Sequence, residues 1–279
     1  MCLLCHARYR IAMPKNTTSG PIIEATNVSV IRDGRHVVDN VSIAIEPTDR
    51  WVILGANGCG KTTLLQVLSL QTHPSHGEMR INGAVLGTFD VRPIRPRLAY
   101  VSAHLASQIR PVLTALQVVM SAKNGSKETW WHEYTSSDEA HALECLKQLG
   151  VDWCAQKEIG LLSSGEQQRV LLSRALMAKP IAVLLDEPSA RLDLGGREQL
   201  ISILNEFSND NPVLPTVVVT HHVDEIPLST THCALMRNGT IISQGTLDLT
   251  LTSDALSECF EIPLHVERRP NGRFSAYSA

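Results

Sequence analysis

The sequence predicts an α/β fold in which a largely parallel β-sheet carries a glycine-rich phosphate loop. The loop is the segment Gly55–Thr62, which matches the pattern G-x-x-x-x-G-K-[ST]. It follows the short apolar run Trp51–Leu54, a predicted buried strand, and precedes Thr63–Leu70, which contains no helix breaker. Two further apolar runs, Ile181–Leu185 and Thr216–Thr220, are typical of central parallel strands that are covered on both faces.

The phosphate loop predicts an anion site. Backbone N–H groups converge where a glycine-rich turn enters a helix, and the helix dipole adds partial positive charge. Lys61 is expected to reach the β- and γ-phosphates, and the Thr62 hydroxyl is expected to bind Mg²⁺. We therefore predict that the chain binds a nucleoside triphosphate. The loop residues predicted to contact it are Gly55, Ala56, Asn57, Gly58, Cys59, Gly60, Lys61, Thr62 and Thr63.

The cysteines favour reduced thiols over a disulfide framework, because there are seven of them, an odd and scattered set. Cys2, Cys5 and His6 have the spacing of a haem-attachment site, but attachment requires export, so accidental spacing is favoured. Cys59 lies inside the phosphate loop, where a helix N-terminus could lower the pKa of its thiol and make the site sensitive to oxidants. Simple tolerance of a small residue is the favoured interpretation.

Composition excludes several classes of protein. The chain has 279 residues and a formal net charge of −3, which argues against a nucleic-acid binder with a basic face, so no direct nucleic-acid contact is expected. The apolar runs are too short to cross a bilayer. The apolar residues of the N-terminus precede its arginines, the reverse of a signal peptide. The protein is therefore expected to stay in the cytoplasm.

The N-terminal part begins with an extension and continues with antiparallel strands. Residues 1–20 are polar and rich in breakers towards their end and are predicted to be disordered, and Met13 could be the true start. Ile22–Ile31 and Val37–Ile45 are predicted strands, and Asp33-Gly34 between them is a hairpin turn signal.

The middle of the chain is predicted to change from strands to helices. Met79–Ile81 and Leu98–Ser102 are predicted strands, and Thr114–Gly150 has apolar residues at helical spacing. A polar stretch within it contains Trp130 and Trp131. An exposed loop whose aromatic side chains pack inward is the favoured interpretation, and a surface that docks a partner is the alternative.

Two acidic residues follow the apolar strand at Ile181–Leu185. Asp186 is placed at the carboxyl edge of the sheet beside the phosphate loop, where a carboxylate can hold Mg²⁺ through its water. Glu187 is one residue further on and could deprotonate the water that attacks the γ-phosphorus. The alternative for Glu187 is a surface acid.

The last part of the chain returns to strands. Thr216–Thr220 ends at His221 and His222, and a closing hairpin is predicted around Asn238-Gly239. We assign no role to His222, because neighbouring residues of a strand point to opposite faces. The final thirty residues mix apolar and basic groups and carry no assignment.

The segment Leu162–Arg169, LSSGEQQR, is the most discriminating one. Here the chain resembles the ATP-binding-cassette (ABC) ATPases, from about Ile22 to Gly245, and Ser163 lies 102 residues after Lys61, the spacing of that family's signature. The resemblance implies a P-loop NTPase ABC cassette, a RecA-like mixed sheet core with an antiparallel β subdomain and an inserted α-helical subdomain. It implies an ABC ATPase domain over 21–250, with the helical subdomain at about 104–178 and a C-terminal tail at 251–279.

The resemblance also implies how the site works. In this family two cassettes sandwich two ATP molecules, so the signature of one cassette faces the phosphate loop of the other. The implied signature residues are Ser163, Ser164, Gly165 and Glu166. Asp193 falls in the D-loop at the subunit interface, and His221 falls where the family's switch histidine contacts the γ-phosphate. The implied catalytic set is Glu187, His221 and Lys61, and Thr62 and Asp186 would hold Mg²⁺.

The chain departs from the family pattern at two places. A glutamine usually follows the strand that matches Leu98–Ser102, but Ala103 stands there and Gln108 comes several residues later. Either Gln108 serves through a longer loop, or coupling to a partner differs. The aromatic residue that stacks on adenine is replaced by Arg32, which could stack on the base or form an exposed salt bridge. Arg32 and Val38 complete the predicted ATP-binding set.

The resemblance favours a Mg²⁺-dependent ATPase subunit that acts as a homodimer. Such a subunit would energise transport through a separate transmembrane permease, and the chain is most similar to the importer type. Such a subunit is expected to be peripheral on the cytoplasmic face of the membrane. A soluble stand-alone ABC ATPase with a regulatory or non-transport role is the alternative. A permease gene neighbour would separate the two.

Overall fold

The computed structural model describes residues 20–125, 133–190 and 192–278. The strands are β1 (Ile23–Arg32), β2 (Arg35–Ile45), β3 (Arg50–Leu54), β4 (His76–Ile81), β5 (Ala84–Val85), β6 (Leu98–Ser102), β7 (Ala182–Asp186), β8 (Thr216–Thr220), β9 (His232–Arg237), β10 (Thr240–Thr246), β11 (Leu264–Arg268) and β12 (Phe274–Ser278). The helices are α1 (Lys61–Leu68), α2 (Ala103–Gln108), α3 (Ala115–Ser121), α4 (Ser136–Gln148), α5 (Ser164–Met177), α6 (Leu194–Asp210), α7 (Leu247–Thr250) and α8 (Ser253–Phe260). The expectations for residues 1–19, including the Cys2–His6 pattern, and for Trp130 and Trp131 lie outside the described residues.

One sheet is antiparallel, with the strand order β2-β1-β4-β5. The predicted hairpin at Asp33-Gly34 is confirmed, and both residues have positive φ, 51° and 74°. Two positive φ values in a two-residue loop match the right-handed twist of the strands that they join. Apolar side chains of β1 and β2 pack with those of α1, so this sheet covers the helix that follows the phosphate loop.

The second sheet has the order β10-β9-β3-β8-β7-β6 and carries the site. All neighbours in it are parallel except β10, which closes the edge by the predicted hairpin at Asn238-Gly239. In its register Leu54 pairs with Thr220, and Asp186 pairs with Val219. The carboxyl ends of β3, β7 and β8 therefore meet at one edge of the sheet.

Among the described residues between β6 and β7 lie four α-helices, α2 to α5. Three of them begin with a capping box, at Thr114 for α3, Thr135 for α4 and Ser163 for α5. In a capping box the first side chain and the side chain three residues later satisfy each other's backbone N–H groups, which fixes where the helix starts. Apolar residues of α3, α4 and α5 share one core with the inner face of β7.

The C-terminal segment, which the sequence left unassigned, folds back onto the sheet. Helix α8 buries Leu256 and Cys259, each 1% exposed, and the hairpin β11–β12 buries Phe274. These side chains share a hydrophobic cluster with Leu54 of β3 and Leu235 of β9. The tail is therefore part of the folded unit beneath the phosphate-loop strand. Within the three described ranges, no helix has the length and apolar character needed to cross a membrane.

Candidate nucleotide-binding site

The phosphate loop turns tightly between β3 and α1, because neighbouring backbone approaches it closely. A Cβ at Gly55 would lie 2.2 Å from the carbonyl oxygen of Met236, and one at Gly60 would lie 2.3 Å from that of Val37. Gly60 also has φ 106°, in the left-handed region that favours glycine. Strands β9 and β2 thus set the path of the loop, and only glycine fits at these two positions.

Lys61 is the first residue of α1, and its side chain folds back over the loop. Its Nζ donates to the carbonyl oxygens of Gly55 at 2.8 Å and Ala56 at 2.9 Å, and the residue is 4% exposed. The ammonium group is therefore held against the loop by two carbonyl groups, at the end of the strand where phosphate oxygens would be received.

The Thr62 hydroxyl and the Asp186 carboxylate, both possible metal ligands, lie side by side next to the phosphate loop. The Thr62 hydroxyl donates to Asp186 Oδ1 at 2.9 Å, and the Tyr100 hydroxyl donates to Asp186 Oδ2 at 2.9 Å. Burial raises the pKa of Asp186 above its ordinary value. Burial and the nearby Asp186 charge raise the pKa of Tyr100 to about 12, so the phenol remains a proton donor at neutral pH. Hydroxyl and carboxylate oxygens are the donor set that Mg²⁺ prefers, so the predicted metal residues fit the ion.

Tyr100 was missed by the sequence analysis, which used it only to mark a strand. The contact follows from the parallel pairing of β6 with β7, which the sequence does not show: the register places Ser102 beside Asp186 and Tyr100 beside Leu184. Residues of neighbouring strands at one sheet edge are within side-chain reach. A phenol two residues before that edge can therefore reach the carboxylate at the end of β7.

Glu187 and His221 meet at the same edge of the sheet. His221 Nδ1 lies 3.1 Å from Glu187 Oε1, and each side chain is about a third exposed. Glu187 has φ 47°, so the backbone turns into the left-handed region directly after β7. The expectation that His222 points away from His221 is wrong, because β8 ends at Thr220 and the two rings lie 4.0 Å apart.

The signature segment begins α5. The Ser163 N–H donates to Glu166 Oε2 at 2.8 Å, and the Glu166 N–H donates to Ser163 Oγ at 3.4 Å. This capping box explains the acidic residue at 166, because glutamate and glutamine cap equally well at this position. Ser163 and Ser164 are exposed, and in the described part of the chain neither Ser163 nor Glu166 is bonded to the phosphate loop.

Asp193, the predicted D-loop residue, caps α6. Its Oδ1 accepts from the Gly196 N–H at 2.7 Å, and the residue is exposed. The next residue, Leu194, is 74% exposed, although leucine is usually buried. Arg191, which precedes these residues in the predicted D-loop, lies outside the described part of the chain.

Two predicted nucleotide contacts, Arg32 and Val38, differ in their exposure. Arg32 is exposed, and its Nη2 donates to Gln66 Oε1 at 3.3 Å, so its described partner is a neutral amide and not the carboxylate of a salt bridge. Val38 has no exposed surface and lies in the hydrophobic core, so its side chain cannot meet a ligand. The backbone carbonyl of its neighbour Val37 is what approaches the loop, at Gly60.

Gln108 ends a helix that the sequence analysis did not predict. Strand β6 runs directly into α2, so residues 103–108 are helical and Gln108 does not lie on a longer loop, which was one of the two alternatives. Gln108 borders a cavity of ≈ 380 Å³ together with Tyr100, Gln66 and Arg174. The glutamine therefore faces the space beside the Tyr100–Asp186 pair from the helical side.

Cys59 is 7% exposed, and burial raises the pKa of its thiol. A thiol with a raised pKa carries little of the reactive thiolate at neutral pH. The structure therefore supports the interpretation that a small residue packs here, rather than an oxidant-sensitive site.

Comparisons with known proteins agree with the geometry. The family model described as ABC transporter matches residues 38–190. The chain is 33% identical over 248 residues, 88% of this chain and 93% of the relative, to YlmA, an uncharacterized ABC transporter ATP-binding protein of Bacillus subtilis (strain 168). It is 27% identical over 261 residues, 90% of this chain and 97% of the relative, to the hemin import ATP-binding protein HmuV of Hydrogenovibrio crunogenus. Among solved structures, the dimeric post-hydrolysis state of the ATP-binding cassette MJ0796 with ADP and Pi matches with a TM-score of 0.69 and 26% identity, covering 81% of this chain and 98% of that chain.

Proposed function

The chain belongs to the ABC transporter ATP-binding family, whose members are ATPases, and from this membership we propose that two copies close around two ATP molecules and energise import through a separate membrane permease. The observation that carries the proposal is the meeting of Glu187 with His221 at the edge where Thr62 meets Asp186. Both pairs lie at the carboxyl end of β3, where the phosphate loop begins.

Each residue at this edge has a role in the proposed hydrolysis. Glu187 accepts the proton of the attacking water, and His221 holds the Glu187 carboxylate in place. Lys61 offsets negative charge on the phosphates from its position on the loop. Thr62 and Asp186 would hold Mg²⁺, which neutralises charge on the β- and γ-oxygens when bound.

A second copy of the chain is proposed because half of the site is presented outwards. The N-terminus of α5, with the exposed Ser163 hydroxyl, offers an anion site that faces solvent. A Cβ at Gly165 would meet no atom of the described residues within 4 Å, so none of them requires glycine there. Leu161 and Leu194, which flank the signature and the D-loop, are 78% and 74% exposed. Exposed leucines beside an open anion site fit an interface between two cassettes.

We expect Gly165→Asp to abolish ATP-dependent dimerisation without harming the fold. The space at Gly165 is open, and an acidic residue in the first turn of a helix interacts favourably with the helix dipole. In the dimer the new carboxylate would face the partner's phosphates, and like charges in contact weaken binding by about 100-fold or more. Light scattering with ATP, in a Glu187→Gln background that prevents turnover, measures the effect.

Gly165→Ala is the matched control, because it adds a Cβ without charge and is expected to lose much less affinity. If Gly165→Asp dimerised with the same dependence on ATP concentration as the unsubstituted chain, the signature would not face a phosphate, and the proposed sandwich would have to be given up.

Import is the proposed direction, because HmuV of Hydrogenovibrio crunogenus is named as an import protein and its alignment covers 90% of this chain. A permease partner would hold the cassette at the cytoplasmic face of the membrane. The stand-alone ATPase is retained as the second possibility, since α2 replaces the loop that carries the family's glutamine and a different coupling route follows from that change.

The permease is tested by recovering tagged Glu187→Gln protein, in the presence of ATP, from gently solubilised membranes. We expect a multi-spanning protein in stoichiometric yield, identified by mass spectrometry. Tagged Lys61→Ala protein, which is expected to bind ATP poorly, controls for nucleotide dependence. Recovery of a homodimer without a membrane protein would overturn the transporter proposal and favour the stand-alone ATPase.

A further inference from the structure

The C-terminal hairpin lies directly on the segment that follows the switch histidine. Strand β12 packs against the short turn Val223–Glu225, which begins two residues after His221. Phe274 shares a hydrophobic cluster with Val223 and Ile226, which are 5% and 2% exposed. The hairpin therefore covers the backbone that carries His221 into the site.

One side chain of the hairpin joins this segment to the helix that follows the D-loop. The Nη1 group of Arg273 donates to Glu198 Oε2, and its Nη2 group donates to the backbone oxygen of Asp224. Glu198 lies in α6, five residues after Asp193, and the Arg273 side chain is 16% exposed. A guanidinium group can hold two acceptors at fixed separation, because its N–H donors form a rigid fork.

A second pair runs parallel to the first. The Glu225 carboxylate, 6% exposed, accepts from the Thr220 hydroxyl and lies 3.3 Å from Arg197 Nε in the first turns of α6. Thr220 is the last residue of β8, immediately before His221. The N-terminal part of α6 is therefore joined in two ways to the switch segment, by which we mean Thr220–Glu225. One connection is the Arg197–Glu225 pair, and the other passes through Arg273 of the hairpin.

We propose that the C-terminal hairpin is a clamp on the catalytic edge and that Arg273 is a positioning residue for ATP hydrolysis. By joining Glu198 to Asp224, it holds the His221 segment at a set distance from the start of α6, so that His221 faces Glu187. This inference rests on the proposed roles of Glu187 and His221.

The test compares Arg273→Ala with Arg269→Ala in the full chain. Arg269 lies at the turn of the same hairpin, is exposed, and makes no side-chain hydrogen bond or ion pair within the described ranges. We expect Arg273→Ala to lower kcat for ATP about tenfold, the effect of losing charge-assisted hydrogen bonds that align the site, with KM and ATP affinity unchanged. Arg269→Ala is expected to keep the kcat of the unsubstituted chain.

Two further variants separate positioning from folding. Arg273→Lys keeps the charge but reaches only one acceptor at a time, so partial recovery of kcat is expected. Glu198→Ala leaves the hairpin residues unchanged and removes one acceptor of the clamp, so kcat is expected to fall in the same direction even if Arg273→Ala does not fold. Equal kcat in Glu198→Ala and the unsubstituted chain, or an equal loss in Arg269→Ala, would overturn the clamp. If the unsubstituted chain turned over no faster than Glu187→Gln, the proposed hydrolysis itself would be wrong.

Discussion

Glu187→Gln is expected to bind ATP, form a stable dimer and lose hydrolysis by about 10²- to 10⁴-fold, the range contributed by a general base. The amide keeps the size of the side chain and can still contact His221, but it cannot accept the proton of the attacking water. Because phosphoryl transfer depends on positioning and charge neutralisation, the rest of the site still holds ATP after the base is lost. Phosphate release measures turnover, and size-exclusion chromatography with ATP measures the trapped dimer.

Glu258→Gln is the matched control, since Glu258 of α8 is 60% exposed and its pair is with Arg237 of β9, not with a group assigned to the hydrolysis. It makes the same chemical change and is expected to leave turnover at its original value. Normal turnover in Glu187→Gln would show that another group accepts the proton, and the Glu187–His221 pair would then be a structural contact.

Lys61→Ala is expected to have the largest effect on nucleotide affinity. The lysine supplies a charge at the phosphate site, and hydrogen bonds to charged groups contribute about 1.5–3 kcal/mol each, so the affinity for ATP should fall about 10- to 100-fold. The substitution also leaves the carbonyl groups of Gly55 and Ala56 without their bonds to Nζ. Isothermal titration with ATP, beside a thermal unfolding measurement, distinguishes the lost ligand contact from a damaged loop.

Lys147→Ala provides the comparison, because Lys147 is exposed near the end of α4. This substitution removes the same charge, but from the helical region. Its ATP affinity should equal that of the unsubstituted chain. An unchanged affinity in Lys61→Ala would mean that the backbone N–H groups alone hold the phosphates, and the assigned role of the lysine would be wrong.

Local signals in the sequence predicted the strand before the phosphate loop, the β6 strand and both hairpin turns. Each of these elements is set by short-range chemistry. A two-residue turn needs positive φ at both positions, which Asp33-Gly34 and Asn238-Gly239 adopt, and an apolar run such as Leu98–Ser102 can only be buried. The glycine pattern also predicted the phosphate loop, in which Gly55 and Gly60 stand where neighbouring backbone leaves no room for a side chain.

The sequence did not predict which side chains come into contact at the carboxyl edge of the sheet. The burial of Val38 depends on the strand register, because a shift of one residue would move its side chain to the other face of the sheet. Tyr100 reaches Asp186 only because β6 pairs in parallel with β7, and no pattern along the chain encodes that pairing. Helix α2 was missed because six residues are too few for a helical period to be visible.

The sequence by itself determined the identity of the phosphate loop, the acidic pair after β7 and the signature, because each is a contiguous segment whose spacing carries its chemistry. Tertiary structure alone decided that Glu187 meets His221, that Tyr100 meets Asp186 and that the C-terminal hairpin reaches the switch segment through Arg273. These groups are far apart in the chain, and their distances depend on strand order, register and packing, which arise only when the whole chain has folded.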